Sequence, residues 1–123
     1  MAIEVIDGFQ QPIPITWQVT SAAPVPVNTA QTFGTAGFDT VVITLTPTGL
    51  TGGSVVFELF DGQTWVTVKC ARTDGYSTDS TFVINSVSGT HSWQVPAAGY
   101  PQFRVRVTSA LTTNNTGALQ VTG

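Results

Sequence analysis

The chain has 123 residues, with seven acidic and four basic side chains, a net charge of −3, and 9% charged against 41% apolar residues. At this length one domain is expected, with a core large enough to form without disulfides or metals. Lys69, Arg72, Arg104 and Arg106 are the only Lys and Arg residues, too few for a convincing positive stripe of the kind that displaces phosphate counterions, so no nucleic-acid partner is expected. No apolar run reaches membrane-spanning length, and no membrane partner is expected.

Residues 1–14 read as an extended N-terminal arm. Ile3, Val5 and Ile6 supply a short apolar strand, which Asp7-Gly8 and then Pro12 and Pro14 break. The arm begins acidic and lacks a basic n-region, so no secretory leader is expected. Ile15 to Thr20 is the first good strand, with Ile15, Trp17 and Val19 on one face. Residues 21–32 hold Pro24 and Pro26 and read as an extended connector crossing between sheets. Residues 33–38 contain two glycines and read as a turn.

Asp39 to Pro47 alternates Val41, Ile43 and Leu45 against Val42, Thr44 and Thr46. Residues 48–53 are turn material. Gly53 to Arg72 then carries the strongest local signal in the chain, two alternating runs around Asp61-Gly62. Glycine takes the positive φ of a tight hairpin turn and aspartate tolerates it. Val55, Phe57 and Leu59 form one face of the first run; Trp65, Thr67 and Lys69 alternate with Val66, Val68 and Cys70 in the second. Residues 73–80 read as a polar loop. Strands are expected over 81–87, with Phe82 and Ile84 on one face, over 90–95, over 102–108 and over 118–122. No window shows a helical period. The expected fold is all-β: an antiparallel β-sandwich or jelly roll of about seven to nine short strands over residues 15–123, behind the arm.

Candidate chemistry is sparse. The only histidine is His91 and the only cysteine Cys70, with no nucleophile elbow nearby, so no catalytic residues and no enzyme are expected. Cys70 reads as a buried, inert thiol, and a lone free cysteine fits synthesis in a reducing cytoplasm. Glycoside hydrolysis needs paired carboxylates. The only glutamates are Glu4, in the arm, and Glu58, mid-strand, where Arg104 and Arg106 are available as structural ion-pair partners. Asp74, Ser77 and Asp79 offer hard oxygens on one loop, but in the composition of an ordinary loop, so no metal and no cofactor are expected. Ligand or interface aromatics are Tyr76 and Tyr100, in loops, with Trp17 and Trp93, in strands where core or interface burial is the default.

Two stretches, FDGQTWVTV (60–68) and WQVPAAGYPQFRVRVTS (93–109), resemble β-sandwich domains of tailed-bacteriophage virion proteins. The matching positions are Asp61, Gly62, Thr64, Trp65 and Val66, then Pro96, Ala98, Gly99, Tyr100, Phe103, Arg104, Val105, Arg106 and Val107. The resemblance spans about residues 33–121 and leaves out the arm. It implies a head decoration (cement) protein, or a head, tail or baseplate fibre module that binds host-surface carbohydrate. A small sandwich with an arm is similar to the decoration type. That implies the major capsid protein as partner, a homo-oligomer with a trimer favoured, arm contacts through Ile3, Val5 and Ile6, and a virion location after synthesis in the host cytoplasm.

Overall fold

The computed structural model describes residues 5–6, 9–10, 14–73, 77–84 and 89–123. Two antiparallel sheets face each other across one apolar layer. One sheet contains β3 (Pro14–Thr20), β5 (Thr40–Thr48), β8 (Cys70–Arg72), β9 (Thr78–Asp79), β11 (His91–Pro96) and β13 (Thr116–Thr122), in the spatial order β3-β13-β5-β11-β8-β9. The other contains β4 (Ala30–Gly34), β6 (Gly52–Phe60), β10 (Thr81–Val83) and β12 (Gln102–Thr112) in the order β10-β6-β12-β4, with β7 (Trp65–Thr67) also paired to β6. Two further short strands, β1 (Val5–Ile6) and β2 (Phe9–Gln10), pair with each other. The fold is therefore the expected all-β sandwich.

Alternation decides which residues enter the core. Along β5, Ile43, Leu45 and Pro47 are buried while Val42 and Thr48 are exposed. Along β12, Phe103, Val105 and Val107 point inward. Trp93 lies at the centre, with ring centroids 5.0 Å from Phe57 and 5.1 Å from Phe82 of the facing sheet. Cys70 is fully buried, and burial, followed by the nearby charge of Asp79, pushes its thiol up to about 12.

The Asp61-Gly62 turn forms where expected. Asp61 Oδ1 accepts the Gln63 and Thr64 amides, both at 2.8 Å, and Gly62 has φ 103°. The second arm of this hairpin differs from expectation. β7 follows β6 for only three residues, and the chain then crosses so that β8 joins the opposite sheet beside β11. Val68 still donates to the Phe57 carbonyl at 3.0 Å, and two residues on Cys70 pairs with Asp79 in the other sheet. The connector after β3 crosses between sheets as expected, but it also joins β12: Val25 and Leu111 exchange backbone bonds of 3.1 and 3.0 Å. Its continuation is β4, a strand where the sequence suggested connector and turn; Phe33 stacks on Phe103 with centroids 6.4 Å apart. Pro14, assigned to the arm, is instead the first residue of β3, opposite Thr122. Proline is tolerated there because β3 is an edge strand.

Candidate functional site

The outer face of the smaller sheet carries a charge cluster built by register. Arg104 sits opposite Glu58, and Arg106, two residues along on the same face, opposite Val56. Both guanidinium groups therefore reach one carboxylate. Arg104 Nε donates to Glu58 Oε1 at 2.8 Å, Arg106 Nε to the same oxygen at 2.9 Å, and an Arg106 terminal nitrogen to Oε2 at 3.2 Å. Burial pushes the Glu58 carboxyl up, but the hydrogen bonds and charges of Arg106 and Arg104 outweigh it and hold the carboxyl below its ordinary value. Arg104 also lies over the Trp65 ring at 4.2 Å, and Trp65 packs on Phe60. Arg106 reaches Asn28 Oδ1 at 3.0 Å. Glu58 is thus engaged as the structural partner of both arginines, as the sequence suggested.

A second polar cluster lies where β8, β9 and β11 meet. Asp79 Oδ2 accepts the Trp93 indole N–H at 2.9 Å and an Arg72 N–H at 3.3 Å. Arg72 also lies 2.9 Å from His91 Nδ1 and over the Trp93 ring. The expectation that Trp93 presents a ligand or interface surface is corrected here. Its ring is fully buried between the sheets, and Asp79 satisfies the indole N–H that such burial strands. The sequence could not show this pairing, because Asp79 sits in a stretch that reads as polar loop. Among the described residues no three His, Cys, Asp or Glu side chains form a group that could hold a metal ion. Asp74 lies outside the described residues.

The remaining candidate positions separate widely. Tyr100 packs partly on the core and lines a shallow recess with Thr35, Ala36, Gly37, Gly99 and Pro101. Two loops hold that recess: Thr35 Oγ1 donates to the Tyr100 carbonyl at 2.6 Å, and the Thr35 amide to the Pro101 carbonyl at 3.0 Å. Trp17 is half-buried on β3, at the far edge of the larger sheet. Tyr76 and Ile3 lie outside the described residues, as do the side chains of Val5 and Ile6.

No protein-family model matches the chain, and no curated protein matches it. Solved structures do. The SPBc2 prophage-derived protein YomS superposes with a TM-score of 0.55 over 89% of this chain and 94% of its own, at 14% identity. The PBSX exported protein XepA superposes with a TM-score of 0.58 over 96% of this chain at 12% identity, and the chain spans 41% of its length. At such identities the likeness establishes a shared sandwich fold, and YomS, one of the proteins that share it, is prophage-derived.

Proposed function

We propose that this chain is a non-enzymatic structural protein of a phage virion, acting as a capsid decoration protein that stabilises the head through oligomeric contacts with the major capsid protein. The observation that carries the reading is the sandwich shared almost end to end with a prophage-derived protein. The use of the polar side chains supports it. Glu58, Arg104 and Arg106 hold one another, Asp61 closes its own turn, and Asp79 serves a buried indole. In this reading the arm residues Ile3, Val5 and Ile6 make the capsid contact. The test is the copy number per virion, by quantitative peptide mass spectrometry against the major capsid protein. A count comparable to the capsid protein supports decoration, and absence from purified particles refutes a virion role.

The braced recess at Tyr100 favours a second reading, a fibre or baseplate module that binds host-surface carbohydrate. An aromatic ring beside small residues and backbone polar groups suits one face of a sugar. A handful of copies per particle, together with tyrosine or tryptophan fluorescence that responds to host polysaccharide, would select it over decoration.

A further inference from the structure

Glu58, Arg104 and Arg106 are the only charged residues in the five strands of the smaller sheet, and the two arginines are not equally used. Arg106 is fully engaged. Its Nε and one terminal nitrogen donate to the two Glu58 oxygens, and its other terminal nitrogen donates to Asn28. Arg104 gives only its Nε to Glu58. Among the described residues nothing accepts from its two terminal nitrogens, which carry four N–H donors.

Arg104 is nonetheless held in place. Its side chain leaves β12, crosses β6 and lies over Trp65, which β7 sets on the far side of β6. Stacking on an indole uses the flat face of a guanidinium and leaves its in-plane N–H groups unused. The bond to Glu58 at 2.8 Å fixes the same group at its inner edge, and only 22% of the side chain is exposed. A side chain anchored at two points has little rotamer freedom left to lose when a ligand arrives.

Charge selects that ligand. Two guanidinium groups against one carboxylate leave the cluster with one positive charge, and no other side chain of these strands cancels it. One added carboxylate completes an alternating set of two cations and two anions. A phosphate dianion would overshoot by one charge beside the buried Glu58. The terminal fork of a guanidinium also matches two carboxylate oxygens in one plane. The surroundings suit a protein better than a sugar. Trp65 already carries Arg104 over its ring and packs on Phe60, so it is not set out as a platform for a pyranose. Half-buried aromatics around an arginine, without lysine and with the one acid already paired, have the composition of an interface core.

We propose that the terminal fork of Arg104 receives the carboxylate of an aspartate or glutamate from a protein partner docked on the outer face of the smaller sheet. The two carboxylate oxygens accept from Nη1 and Nη2, while Nε stays with Glu58. The site is a property of the isolated chain. Absence from virions would leave it untouched, and its failure would leave the virion role untouched.

The experiment is an NMR titration of the full chain at constant ionic strength, following the Arg104 guanidinium and Trp65 indole N–H signals. The probes are N-acetylglutamic acid α-amide, which carries one side-chain carboxylate, galacturonate and inorganic phosphate. Free arginine with both ends blocked is the reference. The expected result is that the glutamate derivative saturates both signals at a concentration at least about tenfold below that for blocked arginine, because the fork is already oriented. Arg104→Lys keeps the charge but has no fork, and should lose that advantage at the Trp65 signal. Wild-type binding no tighter than that of blocked arginine overturns the proposal, as does affinity that folded Arg104→Lys retains. Tighter binding of phosphate overturns the carboxylate assignment. Tighter binding of galacturonate overturns the protein partner in favour of an acidic polysaccharide. The wild-type titrations need no variant and decide the matter even if Arg104→Lys fails to fold.

Discussion

Replacing Glu58 by glutamine tests the electrostatic reading of the outer sheet face. The substitution preserves shape and one acceptor but removes the charge that two guanidinium groups share. The Glu58 side chain is 7% exposed, and its partners are 22% and 26% exposed. The pair network therefore lies between an exposed ion pair, worth up to about 1 kcal/mol, and a buried one, whose breakage costs roughly 3–5 kcal/mol. About 2 kcal/mol is the expected loss, since the arginines keep solvent access. For a chain of this size that lowers the thermal midpoint by roughly 6–8 °C. The pH dependence gives a sharper check. The folded-state pKa of Glu58 lies below the unfolded one, so the native state binds fewer protons. The stabilisation is complete above the unfolded value and is lost as pH falls through the folded one. Thermal denaturation followed by circular dichroism should thus show the full gap between wild type and Glu58→Gln at pH 7. The gap should narrow through the acidic carboxylate range. Equal midpoints at pH 7, or a gap that ignores pH, would refute the reasoning.

Gly53→Ala should destabilise the fold by at least about 2 kcal/mol in urea titration, because φ is 126° and an added Cβ would lie 2.6 Å from Leu111 Cδ2 and 3.0 Å from the Ala110 carbonyl. Cys70 should resist Ellman's reagent in the native state at pH 8 and react stoichiometrically once guanidinium unfolds the chain, given its full burial and raised pKa. Asp61→Ala should accelerate hydrogen exchange at the Gln63 and Thr64 amides, which lose their carboxylate acceptor, while the amides of β12 keep their protection.

Local chemistry made much of this fold legible. Asp61-Gly62 marked the hairpin because only a few residue types close such a turn. The alternation in 41–45 and 103–107 sorted the residues onto two faces, and in each strand one of those faces lies on the apolar layer. What stayed hidden depends on distant parts of the chain. Ala30–Gly34 contains one large apolar residue, Phe33, too little for a periodic signal, and becomes a strand because β12 offers it a ladder. β12 itself runs on through Ser109 and Ala110 to Thr112, past the expected end, by shifting register against β6. The switch of sheets between β7 and β8 leaves no mark in the alternation, since Cys70 keeps the parity of Val66 and Val68 while changing partners.

The same distinction governs the candidate sites. Glu58, Arg104 and Arg106 were recognisable as partners because all three are charged residues on strands with clean alternation. Trp93 and Asp79 were not, because a buried indole and its acceptor are joined only by the pairing of β8 with β9 and β11. Trp17 shows the reverse. Its strand pattern resembles that of Trp93, yet one is half-buried on an edge and the other enclosed between sheets. Position in the sheet order separates a tryptophan free to meet another molecule from one committed to the core. That order arises from long-range pairing, which periodicity within a strand does not encode.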